Sequence, residues 1–228
     1  MSSAEADPSS GEPSGSPEPL PVSADADERL RRWLKAVIAA RGLTAIRDPG
    51  EAHAMLLDDA LRATELVRSL EGPVVDVGSG GGSPGIPLAG ALPEREFTLL
   101  EAERRKCDFL ERWAPPNARV VWGRAEEQEP DAYGVALAKA LASPAVAVEL
   151  CLPLVRLGGA AILWLGPRAD LAAVARVSEL LGGGGPQERD GLVVLPKLAP
   201  TPTGFPRRPG MAKKRPLVRS RESAPRRE

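Results

Sequence analysis

One stretch limits the possible folds more than any other: Val74-Val75-Asp76-Val77-Gly78-Ser79-Gly80-Gly81-Gly82-Ser83-Pro84-Gly85-Ile86-Pro87. A short apolar run carrying one acid leads straight into glycine-rich backbone and then into a helix start. Glycine is needed where φ is positive or where the backbone must approach a ligand closely, because a Cβ would be in the way. The first turn of the following helix presents N–H groups that have no partner within the helix. A second apolar run, Phe97–Leu100, ends in Glu101, 23 residues past Gly78. At about that spacing a doubly wound sheet places its ribose-binding carboxylate.

The rest of the chain repeats the alternation. Apolar runs fall at Pro73–Val77, Phe97–Leu100, Arg119–Trp122, Gly134–Ala138, Ala160–Leu165 and Gly191–Leu195. Helical stretches fall at 84–92, 103–113, 144–156 and 168–181. Continuous apolar strands alternating with helices predict a parallel sheet covered on both faces. Ahead of them, Leu30, Trp33, Leu34, Val37 and Ile38 recur at helical spacing. Asp25 and Glu28 stand at capping-box spacing before that helix, and Gly42 is its stop. A second helix starts after Asp48-Pro49, with Ala54, Leu57 and Leu61 on one face and His53 at its surface. Gly182–Gly185 forms a loop before the sixth run. Cys107, Cys151, Trp113 and Trp164 read as core.

Charge and composition narrow the chemistry. The net charge of −1 hides an acidic first 28 residues, with seven acids and no base, and a basic last 32, with ten bases and two acids. Such an asymmetric chain is expected to bring its basic end to a polyanion, with a solvated tail as the alternative. Two widely spaced cysteines and one histidine match no common zinc spacing, make no disulfide framework and fit a reducing cytoplasm. No metal is expected. A single histidine leaves little scope for a Ser-His-Asp arrangement. Aromatic residues are 4% of the chain, too few for a broad stacking platform. No apolar run is long enough to cross a membrane. Residues 1–23 are rich in Ser, Pro, Gly and Glu and are expected to be disordered. One domain is expected over 24–218, with leading helices in 24–71 and the sheet and its helices in 72–218, followed by a basic tail over 219–228.

The glycine turn itself admits more than one ligand. Gly80-x-Gly82-x-x-Gly85 matches the dinucleotide fingerprint. In the register Asp76-x-Gly78-x-Gly80-x-Gly82, an acid at the strand end would repel a pyrophosphate and favour a cationic amino-acid group. A loop with no ligand is the third reading. The second register is similar to motif I of the class I S-adenosylmethionine-dependent methyltransferases.

A longer resemblance then emerges. Gly78-Ser79-Gly80-Gly81-Gly82-Ser83-Pro84-Gly85-Ile86-Pro87-Leu88 resembles the signature of the bacterial 16S rRNA guanine-N7 methyltransferases, the glucose-inhibited division protein B family. Leu43–Pro49 resembles that family's segment between its first two helices. Phe97–Glu101, with Arg105-Lys106 and Phe109-Leu110, resembles its second strand and the helix that follows. Phe205–Gly210 and Lys213–Leu217 resemble its C-terminal end. The resemblance covers about residues 30–218.

It implies an α/β class I methyltransferase fold, a Rossmann-like, seven-stranded, mostly parallel sheet with an N-terminal helical extension. It also implies S-adenosylmethionine as cofactor and 16S rRNA, or the small-subunit particle, as partner of a monomeric, cytoplasmic enzyme. Carried over by position, Gly78 would lie under the methionine moiety and Glu101 would bind the ribose hydroxyls. Ala125 and Glu126 would contact adenine. Ser83 stands where the family usually has Phe or Leu, and Lys139 where it has Arg. Asp76, Gly80 and Gly82 complete the expected cofactor set. Arg207, Arg208, Lys213, Lys214 and Arg215 are the expected RNA contacts, and no catalytic base is expected. Two other readings compete: a class I methyltransferase acting on a small molecule or protein, and an RNA-binding protein with a decayed cofactor site.

Overall fold

The computed structural model describes residues 24–218, with side chains from Asp27 onward. The tails expected over 1–23 and 219–228 lie outside the described residues. The sheet is built from β1 (Val74–Val77), β2 (Phe97–Glu101), β3 (Ala118–Trp122), β4 (Tyr133–Lys139), β5 (Val155–Trp164), β6 (Gln187–Arg189) and β7 (Leu192–Pro196). Their order is β3-β2-β1-β4-β5-β7-β6. The first five strands run parallel, and β7 and β6 close the sheet antiparallel. The order reverses between β1 and β4, and at such a switch point ligands bind outside the carboxyl ends of the strands. Register is set early: Val74 pairs with Phe97 on one side and with Val135 on the other. All four residues of β1 are buried, as expected of a parallel strand covered on both faces.

The helices between strands are α5 (Gly85–Ala91), α6 (Arg104–Trp113), α7 (Pro144–Cys151) and α8 (Leu171–Leu180). The helix expected over 144–156 stops at Cys151 and passes through a 3₁₀ turn, Leu152–Leu154, into β5. Pro153 has no N–H to continue the helix. The early part of β5 was hidden because Arg156, Leu157 and Gly158 are exposed. Strand β6 escaped for the same reason, since all three of its residues face solvent.

Ahead of the sheet, α1 (Ala24–Ala39) packs Leu30, Trp33, Leu34 and Val37 against Ile86, Leu99 and Leu110. It begins at Ala24, which places Asp25 inside its first turn rather than ahead of the helix, and Gly42 follows with φ +78°. The second leading helix is broken. It starts as α2 (Pro49–Ala52), capped by the Asp48 carboxylate accepting from the Glu51 N–H at 2.8 Å. It widens into a π-turn, His53–Asp58, then continues as α3 (Asp59–Leu61) and α4 (Thr64–Arg68). The π-turn carries one extra residue per turn, so the buried face runs Ala52, Leu57, Ala60, Ala63, Val67. Ala54, expected on that face, is exposed. Cys107 and Cys151 are fully buried as expected, whereas Trp113 and Trp164 are only partly so.

Candidate functional site

A cavity of about 600 Å³ opens at the carboxyl ends of β1, β2 and β4. Gly78, Gly80, Ser83, Glu101, Ala125, Glu126 and Lys139 all border it. Gly78 has φ +71°, a conformation that L side chains rarely adopt, and a Cβ there would overlap the Leu141 side chain.

Glu101 ends β2 with its carboxylate already oriented. One oxygen accepts from the Gly80 N–H at 2.9 Å and the other from the Glu103 N–H at 2.9 Å. Each oxygen has accepted one hydrogen bond and can accept another, and Glu101 borders the cavity. At the adenine end of the expected site, Ala125 is buried and Glu126 accepts from the Gly210 N–H at 2.8 Å. The Glu126 carboxylate therefore ties this loop to the C-terminal segment.

Asp76 and Gly82 stand apart from the cavity wall. The Asp76 carboxylate is buried behind the turn and accepts from the Gly85 N–H at 3.1 Å. Burial pushes its pKa up to about 7, against hydrogen bonding from Ser79 and Gly85, and the charge of Glu101 adds to the rise. Its place is that of a brace: a Cβ on Gly85 would collide with Asp76 and Leu99, so the helix start sits directly on the strand. Gly82 faces Ile86 and the Trp33 indole. Both cysteine thiols are pushed up by burial, and neither borders the cavity. His53 lies outside it, exposed and 3.0 Å from Asp58.

A family model described as rRNA small subunit methyltransferase G matches residues 27–177. The chain belongs to that family. A Ribosomal RNA small subunit methyltransferase G of Synechococcus sp. (strain JA-2-3B'a(2-13)) is 38% identical over 223 residues, covering 85% of this chain and 86% of that protein. One from Moorella thermoacetica is 36% identical over 197 residues, covering 77% and 82%. Among solved structures, an S-adenosylmethionine-dependent O-methyltransferase from Thermotoga maritima superposes with a TM-score of 0.51 at 11% identity, covering 64% of this chain and 66% of that one. That likeness is one of fold.

In this rRNA small subunit methyltransferase G family member, the wall takes Trp33 from outside the motif and gives Ser83 and Lys139 partners that no local pattern names. The Trp33 indole N–H donates to the Gly81 carbonyl at 2.8 Å from 48 residues upstream. Ser83 turns its hydroxyl onto the Leu56 carbonyl at 2.8 Å, so it fastens the π-turn to the glycine loop. Lys139 pairs with Asp59 at 2.6 Å and donates to the Met55 carbonyl. The five expected RNA bases divide. Arg207 is held by the buried Glu149 at 2.6 and 2.7 Å and donates to the Arg215 carbonyl. Arg208, Lys213, Lys214 and Arg215 are exposed, without carboxylate partners among the described residues, and Lys213 borders the cavity.

Proposed function

We propose that this chain transfers a methyl group from S-adenosylmethionine to N7 of a guanine in 16S ribosomal RNA. One observation carries the cofactor half of the reading. The positive-φ glycine turn and the pre-oriented Glu101 carboxylate share one wall of a cavity at the sheet's switch point. The cradle fits the group in chemistry: the bare Gly78 backbone lines it, where a Cβ would press on the lining Leu141, and Glu101 can accept from two hydroxyls. Gly78 and Gly80 would hold the amino-acid end, Glu101 the ribose, and Ala125 the adenine face. When bound, the cofactor supplies an electrophilic methyl on a sulfonium that leaves as a neutral thioether.

The chain's own task is alignment. Guanine N7 has a free lone pair at neutral pH, so no base must remove a proton before it attacks. Its lone pair would take up the methyl as the sulfonium gives it up, leaving the positive charge on the base. The walls formed by α1 and the π-turn keep water from the reacting atoms, and the fixed strand ends hold the two reactants in line. Arg208, Lys213, Lys214 and Arg215 would neutralise phosphates beside the cavity mouth. N7 lies on the Hoogsteen edge, so the target need only be splayed from an RNA loop.

The test has two arms. Isothermal titration with S-adenosylmethionine should give saturable binding that Gly78→Val abolishes. Mapping of N7-methylguanine in small-subunit rRNA from cells with and without the gene should show one modified guanine lost. An unchanged map would overturn the substrate assignment, and absent titration heat would overturn the cofactor assignment.

A further inference from the structure

A second cavity of about 420 Å³ lies beside the first, at the carboxyl ends of β4 and β5. Four residues border both: Met55, Lys139, Ala140 and Leu141. Ala140 sits on this partition with φ +53°, unusual for a residue with a Cβ. Strain of that kind persists where the surrounding structure enforces it. A methyl group passing from a cofactor in the first cavity to an acceptor in the second must cross at this partition.

Lys139 carries the only side-chain hydrogen-bond donor among those four. Its ammonium is held on one side by Asp59, at 2.6 Å, and on another by the Met55 carbonyl. Both holds are themselves fixed: the Asp59 carbonyl accepts from the Trp164 indole at 3.0 Å, and the next carbonyl of the π-turn, that of Leu56, accepts from Ser83. An ammonium has three hydrogens and no lone pair. Two acceptors among the described residues leave one hydrogen for a ligand.

We propose that Lys139 is the specificity residue of the transfer, reading O6 of the acceptor guanine while N7 faces the methyl group. The inference rests on the guanine-N7 reading above. Guanine's Hoogsteen edge offers two adjacent acceptors, N7 and O6, whereas adenine offers N7 beside an amino donor. A donor-only group fixed next to the crossing point accepts the first edge and meets a like donor on the second. Asp59, which Lys139 shares with Arg62 at 2.7 Å, offsets part of the positive charge beside the acceptor base. Ser83 acts as a positioning residue, because it pins the turn whose carbonyl orients Lys139.

The test is a cycle between protein and base. Small-subunit rRNA carrying guanine, inosine or 2-aminopurine at the mapped position is made by splinted ligation and assembled with small-subunit proteins. Inosine keeps N7 and O6; 2-aminopurine keeps N7 and lacks O6. For the wild-type enzyme, kcat/KM for guanine and inosine should agree within about threefold and exceed that for 2-aminopurine by roughly tenfold or more, the range for one well-placed base contact. Lys139→Met should collapse that ratio toward one, and Lys139→Arg should restore it. A lost contact lowers guanine and inosine together, whereas a merely misfolded variant lowers all three bases equally and keeps the ratio. Wild-type enzyme that methylates 2-aminopurine as fast as guanine would overturn the inference, as would an unchanged ratio in a Lys139→Met variant that retains the wild-type Tm and S-adenosylmethionine affinity. Failure of the wild-type enzyme to methylate guanine at N7 would instead overturn the function proposed above.

Discussion

Replacing Asp76 by Asn should remove a pH dependence that runs opposite to that of most carboxylates. An ordinary aspartate titrates at about 3.9, and Asp76 is pushed to about 7 by burial. The folded chain therefore holds a proton on Asp76 between these two values while the unfolded chain has released it. Proton binding by the folded state alone means that stability falls as pH rises through that window. Each pKa unit is worth 1.36 kcal/mol, so the gap of about 3 units corresponds to roughly 4 kcal/mol in all. Between pH 5 and pH 7 the loss is about 2 kcal/mol, because the curve flattens near the folded value. For a domain of this size that is a fall in Tm of roughly 4 to 8 °C. Asn cannot titrate, and its amide oxygen can still accept from the Gly85 N–H. The difference in stability between wild type and Asp76→Asn, measured by urea unfolding at pH 5, 6, 7 and 8 without cofactor, isolates this group. The difference should move by about 2 kcal/mol in favour of the variant as pH rises. A flat difference, or one of the opposite sign, would refute the buried-brace account of Asp76.

Glu101→Ala should weaken S-adenosylmethionine by about 1–3 kcal/mol in titration, the range for hydrogen bonds to a charged group; unchanged affinity would place the ribose elsewhere. Arg207→Ala strands Glu149, 3% exposed, without its partner, and should cost about 3–5 kcal/mol in urea unfolding. A surface arginine that only met phosphate would leave stability unchanged. The double variant Lys213→Ala, Lys214→Ala should weaken RNA binding and reduce the slope of log affinity against log salt by about 2, with cofactor affinity retained, as two lost phosphate contacts require; an unchanged slope would remove these lysines from the RNA contact.

Strands β1, β2 and β4 were legible because a parallel strand buried on both faces can contain little but Val, Leu and Ala. Glu101 was legible because spacing places the end of β2 beside the end of β1. The direction of Asp76 was not, since a strand-end acid reads alike whether it faces the ligand or the helix behind it. The π-turn was missed because its burial spacing, Ala52 to Leu57, belongs to no 3.6-residue template. Arg207 looked like its basic neighbours, and only folding brings it to Glu149, 58 residues away. Ser83 offered a polar side chain where bulk was expected, and nothing local names the Leu56 carbonyl as its acceptor.

The indole of Trp33, bonded to the Gly81 carbonyl, has a consequence for how the chain is made. Trp33 leaves the ribosome long before Gly81, and its other neighbours, Ile86, Leu99 and Leu110, emerge later still. Until then α1 has only Ala52 and Leu57 of the following helix and π-turn to pack on, and the greater part of its apolar stripe stays uncovered. The glycine loop in turn cannot take its final shape until that helix returns to it. The ligand-binding turn is therefore not a portable cassette. A fragment beginning at Pro73 would carry every glycine of the motif and still lack the donor that closes the loop, and shortening the chain from its front removes part of the site as surely as mutating the turn itself.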